Sequence, residues 1–146
     1  MILHCPACGT SNRIPPERFA DQGRCGRCHA PLPPPAPGWP LPVDASGFAT
    51  AVLHAPVPVL VDFHATWCGP CRDMAPHLVT IAQDLVGRLK VVTVDVDTNP
   101  TLAQQFRIQA VPTLILVRDG QAIDRFSGAL PIQQLRNWIA RGLGWL

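Results

Sequence analysis

Residues 58–71 read Pro58-Val59-Leu60-Val61-Asp62-Phe63-His64-Ala65-Thr66-Trp67-Cys68-Gly69-Pro70-Cys71, and the run changes character halfway. From Val57 to Phe63 it is apolar apart from Asp62, which suits a central strand buried on both faces. A helical pattern follows, from Gly69 or Pro70 to about Val86, with a kink expected where Pro76 removes a backbone donor. Cys68 and Cys71 therefore stand at a strand-to-helix junction. Two cysteines separated by two residues can close a small disulfide ring, with the first at the N-terminus of the helix. Unpaired N–H groups and the positive dipole end stabilise a thiolate there, so Cys68 is expected to be nucleophilic near neutral pH. Cys71 lies one turn in, more buried, placed to attack a mixed disulfide. Pro70 suits the first helical turn, where a missing N–H is no loss. The competing reading is half of a metal site, but no further cysteine pair or histidine follows at ligand spacing.

Asp62 is a carboxylate inside an apolar strand, and desolvation should raise its pKa. Such a group is either a proton-transfer residue or a buried structural acid satisfied by local hydrogen bonds. His64 shares a strand face with it by the two-residue alternation. It is a partner for that acid, or simply a packed or exposed histidine.

Further along, the elements alternate. Gly47 to His54 reads as a short helix capped by Ser46 or Asp44, and Leu89 to Val94 as a β-branched strand. Thr98-Asn99-Pro100 is a helix start, with a capping side chain ahead of a proline. Thr113 to Val117 and Ala122 to Phe126 flank Asp119-Gly120, a hairpin signal. A last helix runs from about Pro131 to Arg141, with Ile132, Leu135 and Ile139 on one face. The order β-α-β-α-β-β-α predicts an α/β domain, a mixed sheet with helices on both sides, over residues 43–146.

Ahead of it the composition changes twice. Residues 31–42 hold seven prolines in twelve positions, the makings of a semi-rigid extended linker. Residues 1–30 hold Cys5, Cys8, Cys25 and Cys28, two Cys-x-x-Cys pairs separated by sixteen residues. That is the pattern of a small zinc ribbon with four thiolates on one structural Zn2+. Gly9 and Gly26 are expected at the tight turns that aim the thiolates. Thirty residues cannot bury a sufficient core, so the metal would supply the folding energy. Two disulfides or a second dithiol system are the alternatives.

Residues 58–71, with Ala75-Pro76, Val111-Pro112-Thr113, Asp119-Gly120 and Ser127-Gly128-Ala129, resemble the thioredoxin family over roughly residues 43–146. The Cys-x-x-Cys module and Asn12-Arg13-Ile14-Pro15 between its pairs look like the zinc-containing bacterial thioredoxin 2 group. The resemblance implies a thioredoxin fold, with Cys68 as attacking and Cys71 as resolving thiol of a protein-disulfide reductase. It implies an active-site loop of Trp67, Gly69 and Pro70, and Asp62 beneath Cys71 as proton acceptor. By the same likeness Pro112 is a cis-proline against the disulfide, where the residues alone would equally allow an ordinary loop proline. The backbone of Val111 would bind an extended substrate segment, and Gly128 would border the same groove. Two positions depart from the family. His64 stands where many members have tryptophan, and Thr93 where a lysine usually lies near the buried acid.

The implied partners are disulfide-containing proteins and a thioredoxin reductase that draws on NADPH; the chain itself needs no organic cofactor. Its zinc could also be redox-sensitive, since oxidised thiolates release metal. The formal net charge of +2 falls in residues 1–30, the rest having eight basic and eight acidic residues. That surplus is weak support for nucleic-acid or membrane binding. The chain opens on Met1-Ile2-Leu3-His4-Cys5-Pro6 without basic or long apolar character, so a cytoplasmic, reducing location and a monomer are expected. From another class, the ribbon would dock a protein or nucleic acid and the larger domain would serve as scaffold; the intact dithiol motif argues against it.

Overall fold

A computed structural model of the chain describes residues 2–145. Its larger part is built on a five-stranded mixed sheet. Central β6 (Val59–His64) pairs in parallel with β7 (Lys90–Asp95) and antiparallel with β8 (Thr113–Arg118). The edges are β5 (Leu41–Pro42), parallel to β7, and β9 (Gln121–Ser127), antiparallel to β8. The hairpin between β8 and β9 turns at Asp119 and Gly120, both with positive φ, the geometry that a two-residue turn requires.

Alternation along the strands divides the core in two. Leu60, Val91, Leu114 and Leu116 face α1 (Gly69–Asp84) and α3 (Ile132–Gly142), where Met74, Leu78, Ile81, Leu135 and Ile139 cover them. Val59, Val61, Phe63, Val92, Val94, Ile115 and Val117 face the opposite way. They pack on Phe48, Val52 and Leu102, the last from α2 (Pro100–Gln105). The segment expected as a short helix at 47–54 is a wide helical turn over Ala49–Leu53, closed by the His54 N–H on the Ala49 carbonyl. Asp44 is its anchor, its Oδ1 accepting from the Gly47 N–H.

Asn99 departs from expectation. It precedes α2, yet its side chain caps nothing. Its Oδ1 accepts from the Ala45 N–H and its Nδ2 donates to the Asp95 carbonyl, so it ties the segment before Phe48 to the end of β7.

The small N-terminal unit is two antiparallel pairs, β1 (Ile2–His4) with β2 (Ser11–Arg13) and β3 (Gly23–Arg24) with β4 (Pro31–Leu32). The proline-rich stretch does more than space the units. Pro31 and Leu32 complete the second pair, and Leu41 and Pro42 extend the large sheet. Between them the Ala36 N–H donates to the Phe19 carbonyl, and the Ala36 carbonyl accepts from the Gly87 N–H. Phe19, Ala36 and Val57 bury one another at that junction.

Candidate active site and metal centre

Cys68 ends the loop after β6 and is the N-cap of α1. Its Sγ accepts the Cys71 N–H at 3.1 Å, and Gly69 and Pro70 form the first helical turn. The two sulfurs are joined as a disulfide across a Cα–Cα distance of 5.2 Å. Both cysteines are buried, yet the surface beside them is apolar and open: Trp67 is 67% exposed. Its indole N–H donates to Asp97 Oδ2 at 2.9 Å, which fixes the ring beside the disulfide. Nothing in the sequence pattern pointed to Asp97; the demand of an exposed indole N–H for an acceptor is the only signal.

The Val111–Pro112 bond is cis, and the Val111 carbonyl oxygen is 3.7 Å from Cys68 Sγ. Trp67, Val96, Ile108, Ala110 and Val111 line a groove of about 360 Å³ next to it. The Gly128 N–H donates to the Pro112 carbonyl at 2.8 Å. Thr113, just after the proline, donates its hydroxyl to the Ala110 carbonyl at 2.6 Å and meets Ser127 Oγ at 3.1 Å. Gly128 was expected for close approach, but a Cβ there would make only ordinary contact, with Phe126. Its φ of +115° is what calls for glycine.

Asp62 is 4% exposed, on the α1 side of the sheet. Burial pushes its carboxyl up to about 6, against a smaller downward pull from His64. His64 Nδ1 is 3.6 Å from Asp62 Oδ2. Asp62, His64, Cys71, Arg72, Thr93 and Pro40 are among the residues around one cavity of about 400 Å³. Among the described residues Asp62 Oδ1 has no hydrogen-bond partner, which disfavours a locally satisfied structural acid. A buried lysine does exist on β7, but Lys90 faces the other layer. It donates to the Ala51 carbonyl at 2.9 Å, and burial lowers it to about 8. It therefore leaves the acid without a lysine partner.

In the small unit Cys5, Cys8, Cys25 and Cys28 converge, all four Sγ within 4.8 Å of one another. Cys5–Cys28 and Cys8–Cys25 sulfurs are each 3.6 Å apart. A tetrahedral Zn–S distance of about 2.3 Å implies sulfur separations of ~3.8 Å, so the donors suit such an ion. The two turns are near copies. The Ala7 and Arg27 N–H groups each reach the first sulfur of their pair at 3.4 Å. Backbone N–H groups of Cys28 and Arg27 lower the Cys25 thiol to about 6, whereas Cys28, against a lowering hydrogen bond from the Ala30 backbone, is pushed up to about 11 by burial and the neighbouring sulfurs. Gly9 has the expected positive φ, whereas in the second turn that position falls to His29, φ 61°, and Gly26 is ordinary. Asn12 joins the turns: its Oδ1 accepts from the Gly26 N–H, and its Nδ2 donates to the Thr10 carbonyl and toward Cys25 Sγ.

Comparison with known proteins agrees with both constellations. Residues 40–141 match the thioredoxin family, and residues 4–30 match the family described as thioredoxin 2, N-terminal. The chain is 35% identical to thioredoxin C-3 of Corynebacterium nephridii over 143 residues, 98% of this chain and 96% of the relative. Thioredoxin 1 of Synechococcus elongatus is 46% identical over 101 residues, 69% of this chain and 94% of the relative. A thioredoxin of Mycobacterium tuberculosis is 51% identical over 89 residues, 61% and 77% of the two chains.

Proposed function

The chain belongs to the thioredoxin family, with a ribbon module of the thioredoxin 2 type, and from that membership we propose that it reduces protein disulfides through Cys68 and Cys71. The observation that carries the reading is the Cys68–Cys71 disulfide at the start of α1, beside an open apolar groove. In the dithiol state the Cys71 N–H and the positive end of α1 stabilise a Cys68 thiolate. That thiolate attacks one sulfur of a substrate disulfide and expels the other as a thiolate. An extended substrate segment lies along Trp67 and Val111, with the Val111 backbone as hydrogen-bonding edge and Pro112 and Gly128 shaping it.

Cys71 then attacks Cys68 Sγ in the mixed disulfide, releasing the second substrate sulfur and reforming the Cys68–Cys71 bond. Two electrons pass from the dithiol to the substrate. Asp62, ionised above about pH 6, takes the Cys71 proton, with water in the shared cavity as the bridge. A thioredoxin reductase using NADPH restores the dithiol in a cytoplasmic setting. In the ribbon, Cys5, Cys8, Cys25 and Cys28 hold one zinc ion, whose contribution is to fold that module.

The test is NADPH-coupled reduction of a protein disulfide in the presence of a thioredoxin reductase. Wild type should turn over, Cys68→Ser should be inactive, and protein stripped of metal should stay active. Wild-type inactivity with several electron donors would refute the reductase reading. Undiminished activity of Cys68→Ser would move the function to the scaffold reading.

A further inference from the structure

Asp62 needs an exit for the proton it takes up. It is 4% exposed, its Oδ1 is unpartnered among the described residues, and no lysine stands on its face of the sheet. One residue next to it does reach solvent. The His64 side chain is 27% exposed, with Nδ1 3.6 Å from Asp62 Oδ2 and without a hydrogen-bond partner of its own. We propose that His64 is the proton-exchange partner of Asp62, accepting the proton that leaves Cys71 and handing it to solvent at the mouth of the cavity. The inference rests on the reductase reading above and gives that site a second positioning residue.

The surroundings leave this route to His64. Thr93 on β7, Leu114 on β8 and Pro40 face Asp62 without a titrating group. Arg72 of α1 lines the same cavity, and its guanidinium cannot accept a proton. Asp95 stands beside His64 in the parallel register, its Oδ1 accepting from the Asp97 N–H.

The proton ledger closes without an added reagent. The Cys71 S–H bond breaks and its proton goes through water to an Asp62 oxygen, then across the 3.6 Å gap to His64 Nδ1 by way of one bridging water, and the imidazolium loses a proton to water. The departing substrate thiolate recovers one from solvent.

Reaction with an aromatic disulfide that liberates a coloured thiolate separates the two steps by stopped flow. The first thiolate reports attack by Cys68, and the second reports resolution by Cys71. In His64→Ala the second phase should slow about tenfold above pH 7 while the first keeps its rate. Added imidazole, which fits the enlarged cavity, should restore the second phase. His64→Gln, which keeps a hydrogen-bonding side chain of similar reach, should be slow as well. Wild-type resolution by both variants from about pH 5.5 to about 8.5 overturns the proposal. So does a loss shared by both phases and unmoved by imidazole, since that marks a structural role. Normal resolution in Asp62→Asn removes the base itself and the relay with it. A wild-type chain that never liberates the second thiolate refutes the reductase reading beneath both.

Discussion

The chain uses the spacing Cys-x-x-Cys three times, in two regions with opposite demands on sulfur. After Cys68 the backbone enters α1, so the first sulfur receives a helical N–H and the second sulfur of the same pair. After Cys8 and Cys28 the backbone turns left-handed, and sulfurs of different pairs meet instead. The packing differs in kind as well. Among the described residues, thirteen buried hydrophobic side chains pack on one face of the sheet and ten on the other, whereas the cluster inside the ribbon is Cys5, Cys25 and Leu32. Spacing alone therefore does not set the chemistry of a cysteine pair. What the chain does in the next two residues decides whether sulfur faces its own partner or a shared ion.

The largest effect should follow from breaking the ribbon. Cys25→Ser removes one of the four sulfurs of the proposed zinc site; a structural zinc ion contributes about 10–16 kcal/mol to folding a module of this kind. The expected result is loss of bound metal and collapse of the amide resonances of residues 2–32. Resonances of the sheet should persist, except around Ala36, Val57 and Gly87, where the proline-rich segment docks. Metal analysis and a heteronuclear NMR spectrum decide it. A ribbon that keeps its spectrum without metal would show that Leu3, Ile14 and Leu32 suffice as a core, and the contrast would fail.

An intermediate effect concerns the other region, which buries a charge instead of binding one. Burial raises Asp62 from 3.8 to about 6. Between about pH 4 and 6 the folded chain thus keeps a proton that the unfolded chain has released, and stability falls as pH rises through that window. Asp62→Asn removes the penalty. It should stabilise the sheet domain by about 2–3 kcal/mol at pH 8, with little gain at pH 4. Denaturant midpoints at the two pH values measure this. Equal gains at both would mean that the acid carries no such burden.

How far these features could be read beforehand depends on how local they are. The buried strand, the α1 junction and the Asp119-Gly120 turn are written in adjacent residues. So is the shared face of Asp62 and His64, which follows from alternation. The cavity that joins them to Cys71 was reachable only through resemblance, because strand and helix approach through packing. Strand β5 escaped notice because Leu41 and Pro42 lie in a proline-rich run; pairing comes from a distant partner, the Val43 N–H donating to the Thr93 carbonyl. Asn99 looked like a cap because its neighbours say so, while its hydrogen bonds go to Ala45 and Asp95. Gly26 is a glycine in a turn, yet the left-handed residue of that turn is His29.

His29 provides the smallest and most discriminating comparison, because it asks whether the two knuckles of the ribbon are equally relaxed. Gly9 and His29 follow their cysteine pairs at the same place, with φ of 76° and 61°, and their N–H groups donate to Cys5 and Cys25 carbonyls respectively. For an L-residue with a Cβ this conformation costs roughly 1–2 kcal/mol, while glycine brings an opposing entropic loss of about 0.5–1 kcal/mol. His29→Gly should therefore gain about 0.5–1 kcal/mol. The Arg24 hydrogen bond to residue 29 goes to its backbone carbonyl and survives the change. Because metal binding and folding of the module are coupled, the gain should appear as two- to five-fold tighter zinc binding, roughly. Competition with a chromophoric chelator reads it directly. Gly9→His should shift affinity the other way, by a similar or larger factor. Weaker binding in His29→Gly would show that the imidazole makes a contact in the ribbon worth more than the strain of its backbone.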